Sequence, residues 1–152
     1  MAINTQKAVT GGLAAGVVLA VLDFLINGVL FVEQNEAAAA ALNPDLAVDP
    51  TGGQIAMFVA LDIVLGLMIV WLYAAIRPRL GAGPKTAMIA GVFVWAVITL
   101  IFLFQTAMGL WEMSYTLTFS AIFLVVFLIV AYVGAAVYKE DDAPAAPATP
   151  SY

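Results

Sequence analysis

The sequence predicts an all-α integral membrane four-helix bundle, and three observations carry that prediction. First, 64% of the 152 residues are hydrophobic, only 10% are charged, and the mean hydropathy is +1.07. An average soluble domain carries about 25% charged residues, so fifteen charges are too few to cover a water-soluble globule. Second, four stretches meet the length of about 20 apolar residues that a bilayer core demands, at 9–32, 55–76, 86–110 and 117–138. Third, a four-span threading puts all five cations, Lys7, Arg77, Arg79, Lys85 and Lys139, on one side. Nothing alternates with period two, as membrane strands would.

The composition excludes several functions outright. There is no cysteine and no histidine, which removes disulfides, thiolate metal sites and imidazole acid–base chemistry. No metal-ligand cluster, serine nucleophile motif or intramembrane lysine appears, so no enzymatic role and no cofactor is expected. A formal charge of −5 argues against a nucleic-acid partner. The partners expected are the lipid bilayer and other membrane subunits, or further copies of the chain.

The first span follows Lys7 and carries Asp23 and Asn27. It is longer than the roughly 7–15 residues of a signal-peptide core and holds an acid, so a retained helix is expected. The connection to the second span is long. Its Glu36–Leu42 run favours a short extra helix in the first outer loop, with Asn35 as its cap and Pro44 as its stop. The second span carries Asp62, and Pro78 is expected to end it. Gly81 and Gly83 then permit a tight turn, and Pro84 starts the third span. That span bears Gln105 near its far end, and a short turn leads into the fourth, which is more generically hydrophobic. Residues 1–138 form the four-helix domain, and the acidic, Pro/Ala-rich tail 139–152 lacks what a core needs.

Positive residues mark cytoplasmic segments, so both termini and the Arg77–Lys85 loop are expected inside. Arg77, Arg79 and Lys85 are candidates for contact with anionic headgroups. Trp71, Tyr73 and Tyr138 fit the inner interface, Trp111 and Tyr115 the outer one.

Polar residues within the spans need a reason, since a charge at a helix centre costs about 2.5–3.5 kcal/mol on insertion scales. Counting inward from Glu33 and Gln54 puts Asp23 and Asp62 at roughly 15 and 12 Å, hence at similar depth on antiparallel helices. Asn27 and Gln105 fall nearby, which makes Asp23, Asn27, Asp62 and Gln105 a candidate intramembrane polar cluster. At 100° per residue, Gly12, Gly16, Asp23 and Asn27 share one stripe of the first helix, and Asp62, Gly66, Ile69 and Tyr73 share one of the second. Small residues at four-residue spacing let membrane helices approach, so Gly12, Gly16 and Gly66 are candidate packing positions. Gly134, near the end of the last helix, is expected to matter less. Two roles compete for the acids: hydrogen-bonded glue to Asn27, Gln105 or backbone, or a pair that holds a proton or a cation.

The segment Trp71-Leu-Tyr-Ala-Ala-Ile-Arg-Pro-Arg-Leu-Gly-Ala-Gly-Pro-Lys-Thr-Ala87 resembles the signature of a family of small four-span bacterial membrane proteins. Asp23 with Asn27-Gly28, and Gly53-Gln-Ile55, resemble it too. The resemblance implies four spans and the bacterial inner membrane, and it transfers no catalytic residue. On these grounds the sequence favours an accessory or structural subunit of a membrane complex or homo-oligomer. The alternative is a small oligomeric proton- or cation-coupled transporter or channel that uses Asp23 and Asp62.

Overall fold

A computed structural model describes residues 3–43 and 50–139. Five α-helices make up the described chain: α1 (Thr5–Leu25), α2 (Val32–Leu42), α3 (Gly52–Leu80), α4 (Pro84–Ala107) and α5 (Met113–Val137). A π-helical segment, Ile26–Leu30, continues α1. Four of these units, Thr5–Leu30, α3, α4 and α5, are long and apolar enough to cross a membrane.

The ends of the elements follow from local chemistry. The Asn4 side chain caps α1 by accepting from the Lys7 N–H at 3.0 Å. Thr51 and Gln54 form a capping box that starts α3, so the Gly52-Gly53 pair becomes helical. Pro78 does not end α3. It sits in the last turn, where its fixed φ suits a helix, and the helix continues to Leu80. Gly81, at φ +87°, closes it, and Gly83 at φ +130° completes the turn into Pro84. Thr86 locks that turn by donating to the Gly81 carbonyl at 2.7 Å.

Asn35 is not a cap either. The chain breaks at Phe31 (φ −119°, ψ 26°), α2 begins at Val32, and Asn35 lies within it. The proposed stop at Pro44 and the tail beyond Lys139 lie outside the described residues.

In cross-section α1, α3, α4 and α5 form a ring in which each packs on the next, while α3 and α5 also meet across the middle. Among the described residues α1 and α4 have no close backbone contact and occupy opposite corners. Lys7, Arg77, Arg79, Lys85 and Lys139 gather at one end of the bundle, termed the basic end. Glu33, Glu36 and Glu112 gather at the other, the acidic end.

The middle of the bundle and its basic half are closed by small residues. A Cβ built on Gly16 would lie 2.5 Å from the Ile63 Cα, and one on Gly66 would collide with the Gly16 backbone. At α1–α5 the contact is as tight: a Cβ on Gly11 would stand 2.8 Å from the Gly134 carbonyl, and one on Gly134 would strike Val70. Gly134 is therefore a crossing point and not the tolerant position its place near a helix end suggests. Lipid supplies no hydrophobic drive between helices, so this close approach of backbones is what holds them. At the very end, Tyr73 and Tyr138 pack edge to face at 5.8 Å, with the Arg77 guanidinium 5.9 Å from the Tyr138 ring.

Candidate functional site

The acidic half is built from larger residues. Within it lies a cavity of about 230 Å³ to which all four spans contribute. Its α1–α3 side carries the polar stripe seen in the sequence: Asp23 and Asn27 from the first span, Asp62 from α3. Asp23 and Asp62, separated by 39 positions in the chain, do line one space.

The two carboxylates have different surroundings. Asp23 Oδ1 accepts from Asn27 Nδ2 at 2.9 Å. Asn35 Nδ2 reaches back to the Asn27 carbonyl at 3.1 Å and to Asn27 Oδ1 at 3.2 Å, and the Tyr115 hydroxyl donates to Asn35 Oδ1 at 2.8 Å. This chain ties α5, α2 and the first span together at the acidic end. The π segment makes it possible, since its register and the Phe31 break leave the Asn27 carbonyl within reach of α2. Asp62, by contrast, is only 9% exposed, lines the cavity, and has no side-chain hydrogen bond to any described residue.

The facing side belongs to α4 and α5. Trp95 Nε1 donates to the Ser120 carbonyl at 2.8 Å, and the Thr99 and Ser120 hydroxyls share a hydrogen bond of 2.8 Å. Thr106 and Thr116 share another at 2.6 Å. These pairs join the two helices and consume their own polar groups. Gln105 belongs to this seam and not to the acid cluster. Its Oε1 accepts from Trp111 Nε1 at 2.8 Å, which closes the α4–α5 turn.

From Trp111 in the α4–α5 turn along α5 to Phe127 runs a column of aromatic rings spaced four residues apart. Centroid separations are 5.5 Å for Trp111–Tyr115, 4.5 Å for Tyr115–Phe119, 6.1 Å for Phe119–Phe123 and 6.3 Å for Phe123–Phe127. Tyr115 and the three phenylalanines line the cavity. Hydropathy hides this column, because it makes the fourth span uniformly apolar. Its signal was there in the i, i+4 recurrence of aromatics.

The headgroup candidates lie outside the cavity, at the basic end. Arg79 and Lys85 are exposed, whereas Arg77 is half-buried against Tyr138. Gly12, Gly16 and Gly66 are buried at the α1–α3 crossing.

Fold and cavity together define a multi-pass helical membrane protein with a carboxylate-bearing, aromatic-lined chamber in one half of its bundle. No protein-family model, curated protein or solved structure matches the chain.

Proposed function

We propose that this protein binds a cation inside the membrane, in the cavity shared by Asp23 and Asp62. It would act as a small oligomeric transporter or channel coupled to protons. The observation that carries the reading is Asp62: a residue only 9% exposed whose carboxyl oxygens open onto the cavity, with no hydrogen-bond partner among the described residues. A carboxyl group kept as glue would be expected to have a donor from a neighbouring helix, whereas the Asp62 oxygens are open to whatever fills the cavity. Asp23 has a donor in Asn27, itself bonded to Asn35 of α2, so an accessory or structural subunit accounts for Asp23 alone. Ionisable residues retained within spans are functional candidates by default, with a named partner, and here the natural partner of Asp62 is a ligand.

The proposal extends to placement. The one-sided cations favour a basic end in the cytoplasm with both termini inside. The sequence resemblance favours a bacterial inner membrane. Four helices alone rarely enclose a full pathway, which favours a homo-oligomer or other membrane subunits.

The test is a pH-gradient dye assay in proteoliposomes carrying the wild type, Asp23→Asn or Asp62→Asn, with melting curves of each. The expected outcome is wild-type proton flux that depends on added cation and disappears in Asp62→Asn while its melting temperature holds. An absence of cation-dependent flux in the wild type would return the acids to a structural role.

A further inference from the structure

We infer that the ligand of the cavity is a small organic cation of the ammonium class, held between the Asp62 carboxyl group and the aromatic column of α5. The inference rests on the cation-binding reading above and narrows it to a chemistry. Charge comes first: Asp62 is buried, faces the cavity and lacks a donor among the described residues. A neutral apolar occupant would leave that group unpaired, and an anion would be repelled by it. A cation satisfies it.

The surrounding walls decide which cation. A hard metal ion gives up its water only for a shell of oxygens, six to eight in the case of calcium. Among the described residues no third acidic, His or Cys side chain joins the two carboxyl groups. Asp23 Oδ1 is engaged by Asn27, and the Thr99 and Ser120 hydroxyls are engaged with each other. Most of the remaining lining is aromatic or aliphatic. Trp95 and Phe102 from α4 add to Tyr115, Phe119, Phe123 and Phe127 from α5. Such walls cannot replace the hydration shell of sodium or magnesium. They suit an alkylated ammonium, which sheds little water and gains from rings within about 6 Å of its charge.

The volume agrees with a small ligand. The cavity, at about 230 Å³, falls below the roughly 300–1,000 Å³ typical of pockets for drug-sized molecules. The fit is to a cation on the scale of choline and not to a polycyclic dye.

The experiment is calorimetric titration of the full-length protein in detergent with choline chloride. Parallel titrations use sodium chloride, potassium chloride and dimethylbutanol, the neutral carbon isostere of choline. Choline is expected to bind, and dimethylbutanol to bind at least about tenfold more weakly, the scale of one desolvated cation–π contact plus its charge partner. Sodium and potassium are expected not to compete. Asp62→Asn should abolish choline binding, and Phe123→Leu should weaken it several-fold, each with a melting curve to show that it folds. The wild-type comparison of choline with its isostere needs no variant, so a folding defect cannot mask the answer. Competition by sodium or potassium at concentrations equal to choline would overturn the ammonium assignment and leave a cation site standing. Equal binding of choline and dimethylbutanol, or no binding of any cation, would overturn both.

Discussion

Asp23 and Asp62 share a cavity, yet the same substitution is expected to act on them in opposite directions. Replacing Asp23 with Leu strands the Asn27 amide that it accepts from, and an unmet polar group in such a site costs about 1–3 kcal/mol. Replacing Asp62 with Leu strands nothing among the described residues and removes a buried carboxyl group that has no donor. Melting curves in detergent should therefore show Asp23→Leu below the wild type and Asp62→Leu at or above it, a residue kept at the expense of stability. A fall of similar size for both would mean that Asp62 is glue after all. The depth of these acids was legible in the sequence because helical rise is fixed, and counting inward from Glu33 and Gln54 is enough. The difference between them was not. It depends on Asn35 turning back to Asn27 and on Tyr115, 80 positions further along, reaching Asn35. No local pattern encodes that contact, and by local rules Asn35 looks like a cap.

Helices meet in this protein through the positions where they have least side chain. The crossing of α1 and α3 was readable from the four-residue spacing of Gly12 and Gly16 and the facing Gly66, since periodicity alone assigns them to one side. The crossing of α1 and α5 was not, because Gly134 stands alone in its helix and its importance comes from what α1 presents to it. Both Gly16→Leu and Gly134→Leu should lower the yield of folded protein in detergent to a similar degree. Each places a branched side chain where even a Cβ meets backbone or a buried valine. Gly52→Ala is the control, with open space around its Cβ and a normal helical backbone, and should be neutral. Size-exclusion profiles of the three variants decide the matter, and a normal profile for Gly134→Leu would remove α5 from the packing scheme. Pro78 makes a related point about ends. Whether a proline stops a helix or rides in its last turn is settled by the following glycine, here Gly81 at positive φ.

At the scale of the whole molecule, charge and packing divide the bundle into the same two halves. In the orientation the cations predict, a cysteine at Ala40 in α2 and one at Ala82 in the α3–α4 turn, both exposed in the fold, should label from opposite faces of intact cells. Labelling from one face would refute the threading. The glycine crossing of α1 and α3 also has a mechanical consequence. α3, with 29 residues, is about 43 Å long, and Gly66, its glycine contact with α1, lies at its midpoint with 14 residues on either side. A rod pinned at its middle behaves as a seesaw: a small tilt at the pivot swings the two ends in opposite directions. The glycines are thus the pivot, and Asp62 lies one helical turn from it. A tilt there would be felt at both ends of the bundle at once, and least of all at the chamber's carboxyl group.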